Sequence, residues 1–394
     1  MDPYANEWLD LLVRWLHVIA AITWIGTSFY FIALDNHLDP PRDEDDAREG
    51  VGGEAWEVHG GGFYLVQKYR VAPPRLPERL YWFKWEAYTT WLSGFALLIV
   101  LYYVNANTYL IDKNVADLSQ AEAIAISVAL LVAAWVVYDG LCRAVRDDLV
   151  LAAILLGLTT LAAWGVSHLF SGRAEYIQIG AMLGTMMAGN VLFVIIPAHW
   201  ELVRAKQAGR EPDPAPGIRG KQRSVHNNYL TLPVLFTMIS NHFPATYGHS
   251  YSWLILVGLL VVGAWLRHFF NLRHAGRTVW LIPATAALAI AGIAVAIRPQ
   301  GTSGAAGAAP VPFSRARAIV EQRCVPCHSQ HPTKVSSAPM DIVFDTPAEI
   351  KAEAAQIEAV AVETKTMPLG NVTGMTQAER NTLGAWLRQG AKTR

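Results

Sequence analysis

Cysteine is scarce in this sequence, and neither sign of charge is in excess. Only 3 of the 394 residues are cysteines, which excludes a disulfide-stabilised fold. Lysine plus arginine (32) equals aspartate plus glutamate (32), so no basic excess points to nucleic acid. Charged residues make up 16% of the chain and hydrophobic residues 53%, which is more apolar than usual for a soluble protein. These features predict a membrane protein that does not bind nucleic acid.

The N-terminal apolar run lacks the basic residues that begin a cleavable secretion signal. It follows Asp2, Glu7 and Asp10, so we expect a retained membrane helix. A helix needs about 20 apolar residues to span a bilayer. The apolar runs predict eight such helices, of which the sixth has the shortest apolar centre. The predicted spans are residues 8–34, 85–104, 121–139, 148–170, 176–200, 227–244, 250–272 and 279–298.

Basic residues are unequally divided between the two sides of the predicted bundle. The long loops 35–84 and 201–226 are rich in lysine and arginine, and shorter loops on their side add more, Arg267 among them. The opposite side carries only Lys113 and Arg173 between spans. The positive-inside rule therefore places both long loops in the cytoplasm and both termini in the periplasm. We expect a multi-pass protein in the lipid bilayer of the bacterial cytoplasmic (inner) membrane.

Residues 324–328 (CVPCH) form the attachment signature of a c-type haem. Cys324 and Cys327 add to the haem vinyl groups, and His328 becomes the proximal iron ligand. A zinc site needs a second pair of ligands, and the remaining cysteine, Cys142, lies far upstream. A thioredoxin-like dithiol needs a βαβ context that the sequence lacks. Because bacteria attach haem c outside the cytoplasmic membrane, the motif agrees with a periplasmic C-terminus.

The residues after the motif predict a small class I cytochrome c domain. Methionine and histidine are a common axial ligand pair, and Met367, in the run MPLGN, is the predicted sixth ligand, with Met340 and Met375 as alternatives. Apolar residues at helical spacing in 376–389 predict a C-terminal helix beside the haem. The predicted fold class is all-α: a polytopic membrane helix bundle followed by this soluble domain. The predicted domains are 1–299 (membrane), 300–312 (flexible linker) and 313–394 (cytochrome c).

Six histidines lie within or near the ends of the predicted spans. Ionisable residues are rare there, and each is a functional candidate. A haem b held by two histidines between helices would suit either of the layers that the topology predicts. The alternative is that each histidine hydrogen-bonds to its neighbours. The outer layer comprises His17, His168 and His242, and the inner layer comprises His199, His226 and His268.

The predicted cytoplasmic loop contains a glycine-rich run, EVHGGGFY, at residues 57–64. Its glycines allow backbone amides to approach a ligand closely. Phe63 and Tyr64 could stack on a planar ligand, and Glu57 with His59 could move protons. The alternative is a tight turn that joins two halves of an interfacial loop.

Gly180 and Gly184 in the fifth predicted span form a small-xxx-small pair. Such pairs allow two helix backbones to approach closely in a membrane. The pair therefore predicts close helix packing, either within the chain or at the face of a homodimer.

Several segments carry a resemblance to a known family. They are residues 57–64, residues 226–236 (HNNYLTLPVLF) with Asn241 and His242, and the haem motif 324–328. Together with the eight-span order, they make the chain similar over its full length to the membrane-bound bacterial urate oxidases that carry a fused C-terminal cytochrome c. Residues 16–26 (LHVIAAITWIG) also resemble the first helix of the membrane-embedded bacterial protoporphyrinogen oxidases, whose haem-binding histidine corresponds to His17.

The resemblance implies oxidation of urate to 5-hydroxyisourate. Electrons would pass to haem c and then to a terminal cytochrome c oxidase or a soluble cytochrome c, without release of peroxide. From a cytoplasmic site they would cross about 30 Å of hydrocarbon, so we expect haem b between the histidine layers. The expected ligands are His17 and His242 in the outer layer and His199, His226 or His268 in the inner layer.

The catalytic and substrate-binding candidates are Glu57 and His59 for proton transfer and Phe63 and Tyr64 for stacking, with His226 and Asn228 in reserve. Without the resemblance, the residues indicate only a membrane dehydrogenase that reduces haem c. Two other functions are compatible with them. One is a quinol- or other metabolite-oxidising electron-transfer protein, and the other is a haem-handling or sensor protein without turnover.

Overall fold

Long helices make up most of the chain, and one β-hairpin interrupts them. The computed structural model describes residues 3–298 and 310–393. The strands are β1 (Val51–His59) and β2 (Gly62–Tyr69). The N-terminal helices are α1 (Pro3–Asn36), α2 (Glu44–Arg48), α3 (Trp85–Leu97), α4 (Ala106–Tyr109), α5 (Gln120–Ala144), α6 (Asp148–Ser167), α7 (Gly172–Gly189), α8 (Ile196–Gln207), α9 (Pro214–Ile239), α10 (Pro244–Tyr247), α11 (Ser252–His274) and α12 (Leu281–Ala296). The C-terminal helices are α13 (Phe313–Arg323), α14 (Pro347–Ala352), α15 (Ala354–Ile357) and α16 (Gln377–Arg388).

Two of the long helices contain or border π-helical turns. Helix α3 continues into one over Leu98–Tyr103, and another, over Asn190–Ile195, joins α7 to α8. Such turns are rare and occur often at functional sites. Shorter helical turns cover Ser240–His242, Pro339–Asp341, Glu358–Glu363 and Leu369–Asn371.

Several helices have the length and apolarity that a membrane requires. Among the described residues, 5 qualify, and the shorter Leu281–Ala296 is also apolar. The five are Trp8–Asn36, Gln120–Ala144, Asp148–Ser167, Gly172–Gln207 and Ser252–His274. The prediction of a helix-rich fold with several long apolar helices is therefore confirmed, and these helices are consistent with a membrane protein. The predicted spans 85–104 and 227–244 fall on α3 and α9, which do not qualify, so the total of eight spans stays a prediction.

The bundle is held together by close helix pairs. Helix α1 packs along α3, and α9 packs along both α7 and α11. A Cβ atom added to Gly180 of α7 would overlap the side chain of Thr237 on α9. The predicted close packing of this glycine therefore occurs within the chain. Gly184 has no atom within 4 Å of such a Cβ, and the homodimer stays a prediction.

The glycine-rich run forms the end of the β-hairpin. Strands β1 and β2 pair antiparallel, with His59 opposite Gly62. Between them, Gly60 (φ 58°) and Gly61 (φ 82°) adopt left-handed conformations, as a two-residue hairpin turn with matching twist requires. The tight-turn interpretation of these glycines thus describes their backbone correctly.

The C-terminal segment has its own hydrophobic core. Leu383, Trp386 and Leu387 of α16 are buried in it with Val320 of α13, so the helix predicted at 376–389 is present with its apolar face packed. Residues 300–309 of the predicted linker lie outside the described residues. A Cβ atom on Gly370 would meet the carbonyl oxygen of Thr108, which places the turn after Met367 against the α4 end of the bundle.

Candidate functional site

A cavity opens between α1, α9 and α11 near the end of the bundle that carries the hairpin. Its volume is about 360 Å³, within the range of small-molecule sites. The walls are mostly aromatic and aliphatic, with one guanidinium and one imidazole. The lining residues are Phe29, Tyr30, Ala33, Leu232, Arg267, Phe270 and His274. We call this space the Arg267 cavity.

Arg267 is the charged group of this cavity. It is only 3% exposed, and its guanidinium carbon lies 3.9 Å from the centre of the Phe29 ring. Its Nε donates to Asn228 Oδ1 at 2.9 Å. Among the described residues it has no carboxylate partner, and its buried Nη2 has no hydrogen-bond acceptor. Arg267 is therefore a buried cation whose contacts are one amide and one aromatic ring, and a buried cation without a charged partner is costly.

Other polar atoms around the cavity are also buried and unpaired within the described part of the chain. They are Nδ2 of Asn228, Oδ1 of Asn271 and Nδ1 of His274. Nearly all buried polar groups in native proteins have partners. The exceptions here cluster around Arg267, and one of them belongs to His274, which lines the cavity.

A short polar stretch of α9, residues 226–229, forms hydrogen bonds with several neighbouring helices. Consecutive residues on a helix point about 100° apart, so four polar residues in sequence reach three different helices, α5, α7 and α11. His226 Nδ1 lies 2.9 Å from Tyr138 Oη, Asn227 donates to the Met187 carbonyl oxygen at 3.0 Å, Asn228 accepts from Arg267, and Tyr229 Oη lies 2.7 Å from His268 Nδ1. This polarity also explains why α9 falls short of the apolarity of a simple span.

A second buried polar network joins α9 to α5 and α7. Arg223 donates from Nη2 to Asp139 Oδ1 at 2.7 Å and from Nη1 to Asn190 Oδ1 at 3.1 Å. Asn190 in turn donates to Tyr138 Oη at 2.9 Å and to Asn227 Oδ1 at 2.8 Å. Asn190 begins the π-helical turn, so that irregularity directs its side chain into the network. We call this the Arg223 network, and its buried side-chain atoms are all paired.

Glu57 lies at the mouth of the Arg267 cavity. Tyr30, on the cavity wall, donates from its hydroxyl to Glu57 Oε2 at 2.7 Å. The other carboxylate oxygen, Oε1, lies 3.8 Å from Nε2 of His37. A hydroxyl, a carboxylate and an imidazole thus run in series from the cavity to the surface.

The remaining loop candidates lie elsewhere. His59, Phe63 and Tyr64 sit at or beside the tip of the hairpin, where each is exposed. None of the three lines the cavity, whereas Glu57 bonds to Tyr30 on its wall.

The predicted haem b ligands contact different neighbours. Nδ1 of His17 lies 3.1 Å from both the Thr90 carbonyl oxygen and Ser93 Oγ. The His199 ring lies 6.4 Å from that of Trp82, and His242 is exposed after α9. Both His226 and His268 bond to tyrosines, as described above. Within the described chain, no group of three or more histidine, cysteine or acidic side chains could hold a bare metal ion. A haem needs only one or two protein ligands, because the porphyrin supplies the others.

The residues of the CVPCH motif fit a covalent haem. Helix α13 ends at Cys324, whose carbonyl oxygen accepts from the amides of Cys327 at 3.0 Å and His328 at 2.9 Å. Nδ1 of His328 lies 3.0 Å from the Ile342 carbonyl oxygen, which leaves Nε2 for iron. Burial raises the pKa of the Cys324 thiol to about 12, whereas a dithiol of the thioredoxin type needs a lowered pKa.

The three candidate methionines differ in burial. Met340 is 86% exposed, and Met375 is buried in the core of the C-terminal segment. Met367 packs at the edge of that core, and its carbonyl oxygen accepts from Arg380 at 2.7 Å. Of the three, Met367 alone combines partial burial with a fixed backbone.

The main charged residue of the site was not predicted from the sequence. Arg267 was assigned to the positively charged loops, although it lies inside the predicted span 250–272. An arginine inside a span is itself a functional signal. Phe29, Tyr30 and His274 gave no signal, because their proximity depends on how α1 packs against α11.

Comparison with known proteins identifies the N-terminal part. Neither the curated proteins nor the solved structures contain a match to this chain. The sequence profile of the urate oxidase N-terminal family matches residues 3–298, which include the Arg267 cavity and the bundle but not the CVPCH motif. The chain belongs to the urate oxidase N-terminal family.

Proposed function

We propose that this protein oxidises urate to 5-hydroxyisourate in the Arg267 cavity and delivers the electrons to a haem c held by Cys324, Cys327 and His328. The observation that carries the proposal is the buried Arg267 guanidinium with its free Nη2 in an aromatic cavity. Membership of the urate oxidase N-terminal family supports urate as the substrate.

The chemistry of urate matches the cavity. Urate is planar and is a monoanion near neutral pH. Arg267 supplies a fixed cationic donor, which favours a planar anion, and Phe29 and Phe270 supply aromatic walls. Asn228 would hold the guanidinium in place through its bond to Arg267 Nε, and His274, which lines the cavity, would face a ring nitrogen of the substrate. The sequence predicted Asn228 as a reserve catalytic residue; in this proposal it is a positioning residue.

The reaction also needs a route for a proton. Conversion of the urate monoanion to 5-hydroxyisourate adds one water and releases two electrons and one proton. Tyr30 can accept this proton at its oxygen while it passes its own to Glu57, because the two groups are hydrogen-bonded. His37 lies next to Glu57 and is partly exposed, so it can release the proton to water. In this scheme His37, rather than His59, works with Glu57.

Electrons have to travel along the bundle. Ser252 lies at the start of α11 and Arg267 near its end, a separation of roughly 22 Å at 1.5 Å per residue. Residues 364–371 of the C-terminal segment lie beside Ser252, and a haem c held by Cys324, Cys327 and His328 would supply a one-electron acceptor there. We include haem b as a relay, with His17 as the first candidate ligand. Its Nδ1 bonds across to the Thr90 carbonyl oxygen, and this arrangement is typical of haem and metal ligands.

The charge distribution of the loops sets the proposed orientation. The basic loops 35–84 and 201–226 lie at the hairpin end of the bundle, which we place in the cytoplasm. The C-terminal domain then lies in the periplasm of a bacterial inner membrane. There it would pass electrons to a terminal cytochrome c oxidase or a soluble cytochrome c, and oxygen would not be reduced to peroxide at the urate site.

An anaerobic visible spectrum of the detergent-purified protein tests this function. Addition of urate is expected to reduce the c-type haem, with any b-type component changing first. The same sample with a quinol in place of urate is the comparison. Reduction by quinol but not by urate would replace the proposal with a quinol-oxidising electron-transfer protein. Reduction by neither would favour a haem-handling or sensor protein.

A further inference from the structure

The β-hairpin has two chemically different faces. Side chains alternate along a strand, so Trp56 and Val58 of β1 share one face. Their cross-strand partners Leu65 and Phe63 lie on the same face. All four are exposed, Val58 by 71% and Phe63 by 78%. Glu57 points to the opposite face, towards Tyr30. One face of the hairpin therefore bonds to α1 at Tyr30, and the other presents an uncovered apolar strip.

Two contacts with α1 fix the direction of the hairpin. Lys68, near the base of β2, bonds to Asp35 at the end of α1 at 2.5 Å. Glu57, which pairs with Tyr64 nearer the tip, bonds to Tyr30, more than one turn earlier in α1. Helix α1 is one of the helices with the length and apolarity of a membrane span. The hairpin thus runs from the end of a spanning helix back along it, towards the level of the membrane.

Further exposed aromatic residues lie at the same end of α1. Tyr81, Phe83 and Trp85, which precede or begin α3, are each more than half exposed. The Phe83 ring lies 4.9 Å from the ring of Phe31 on α1. Aromatic side chains concentrate where a membrane meets water. A second group at the same end of the bundle therefore marks the same boundary as the hairpin strip.

We propose that the hairpin is a membrane-inserting element whose strip of Trp56, Val58, Phe63 and Leu65 lies in the boundary between lipid headgroups and acyl chains. An exposed apolar patch of this kind needs an occupant, and the lipid that surrounds α1 is next to it. The turn amides of Gly60 and Gly61 need water or headgroups as partners, which limits insertion to the boundary layer. The strip thus anchors Glu57 over the cavity, and the inference is independent of which substrate the cavity binds.

Photocrosslinking in native membranes tests the two faces against each other. A photoreactive benzoylphenylalanine replaces either Phe63, on the apolar strip, or its neighbour Tyr64, on the opposite face, in the full-length protein. After irradiation, mass spectrometry identifies what is attached to the hairpin peptide. We expect a phospholipid adduct at position 63 and at least a tenfold smaller yield at position 64. The same replacement of Val58 supplies a second position on the strip if the position 63 variant does not accumulate.

The other outcomes overturn the proposal. A crosslink from position 63 to a second copy of the chain, seen as a band of doubled mass, would assign the strip to a homodimer. Equal lipid yields at positions 63 and 64, or no lipid adduct at positions 63 and 58, would show that the strip does not face the bilayer.

Discussion

Arg223 and Arg267 are both almost fully buried, yet their surroundings are opposite. Arg223 meets a carboxylate, Asp139, and an amide, Asn190, and no buried side-chain atom of its network lacks a partner. Arg267 meets one amide and one aromatic ring, and its Nη2 is unpaired within the described chain. A buried cation is stable only with compensation. For Arg223 the protein supplies a carboxylate, whereas for Arg267 it supplies only Asn228 and the Phe29 ring, and in the proposed function an anionic substrate completes the compensation.

The difference separates structure from function within a single helix. Asn227 and Asn228 are adjacent on α9, but Asn227 belongs to the Arg223 network and Asn228 holds Arg267. The paired network fixes the position of α9. The position of α9 determines where Asn228 lies, and Asn228 in turn holds the Arg267 guanidinium at the cavity. Substitutions in the Arg223 network and substitutions at the Arg267 cavity are therefore expected to have different consequences for stability and for substrate oxidation.

The largest effect on stability is expected from Arg223→Met. It takes the buried cation away from Asp139, which keeps only the exposed Arg143 as an ion-pair partner, and it leaves Asn190 Oδ1 without the Arg223 donor. Each lost hydrogen bond of the guanidinium costs about 1.5–3 kcal/mol. Chemical denaturation of the detergent-solubilised protein, followed by circular dichroism, measures the loss. Arg267→Met is the matched control, because it removes a buried charge that has no carboxylate partner. Equal destabilisation by the two substitutions would contradict the distinction between them.

The largest effect on function with an intact fold is expected from Arg267→Met. Loss of one charged hydrogen bond to the substrate, worth about 1.5–3 kcal/mol, lowers the rate of haem reduction at low urate concentration by up to roughly 100-fold. Stopped-flow spectroscopy under anaerobic conditions measures this rate. Arg273→Met, six residues further along α11 and exposed, should leave the rate unchanged. Arg267→Lys should recover only part of it, because lysine keeps the charge but not the planar fork.

A smaller effect is expected from Tyr30→Phe, which keeps the ring on the cavity wall but removes the bond to Glu57. One hydrogen bond to a charged group, at about 1.5 kcal/mol, corresponds to roughly a tenfold slower reaction. The loss should appear in the maximal rate rather than in urate affinity, and it should change the pH dependence. Tyr64→Phe is the control, since Tyr64 lies across the strand pair from Glu57 without touching the cavity wall. An unchanged pH profile for Tyr30→Phe would remove Tyr30 from the proton route.

Parts of this arrangement were predictable from the sequence, because they depend on local pattern. Apolar runs indicated the long helices, and the spacing of Leu383, Trp386 and Leu387 indicated the packed face of α16. The glycines of residues 57–64 left a tight turn open as one of two interpretations, and the structure has such a turn at Gly60 and Gly61. In each case neighbouring residues in sequence hold the information.

The cavity was not predictable, because it depends on pairings between distant segments. Tyr30 and Glu57 meet only because the hairpin folds back along α1, and Phe29 meets Arg267 only because α1 lies against α11. Periodicity shows that a helix has a polar face but not which helix that face meets. The π-helical turn that orients Asn190 has no local sequence signal that we recognise.

The smallest effect on stability is expected from Asp345, whose carboxylate is paired but, unlike the two arginines, exposed. The backbone amide of Gln330, two residues after His328, donates to Asp345 Oδ2 at 2.8 Å. This bond, with that of Ser329, holds the pKa of the Asp345 carboxyl below its usual range. A carboxyl whose pKa is lower in the folded protein stabilises the fold above its unfolded pKa of about 3.9 and loses that effect as the pH falls through the folded value.

Asp345→Asn should therefore increase hydrogen exchange at the Gln330 amide at neutral pH, measured by mass spectrometry and corrected for intrinsic exchange rates. The difference from the unmodified protein should narrow only below about pH 4, where the carboxyl becomes protonated. Because Asp345 is exposed, water competes for both partners, and overall stability should change far less than in Arg223→Met. A difference in exchange that persists unchanged at low pH would show that the shape of the side chain, rather than its charge, holds the loop beside His328.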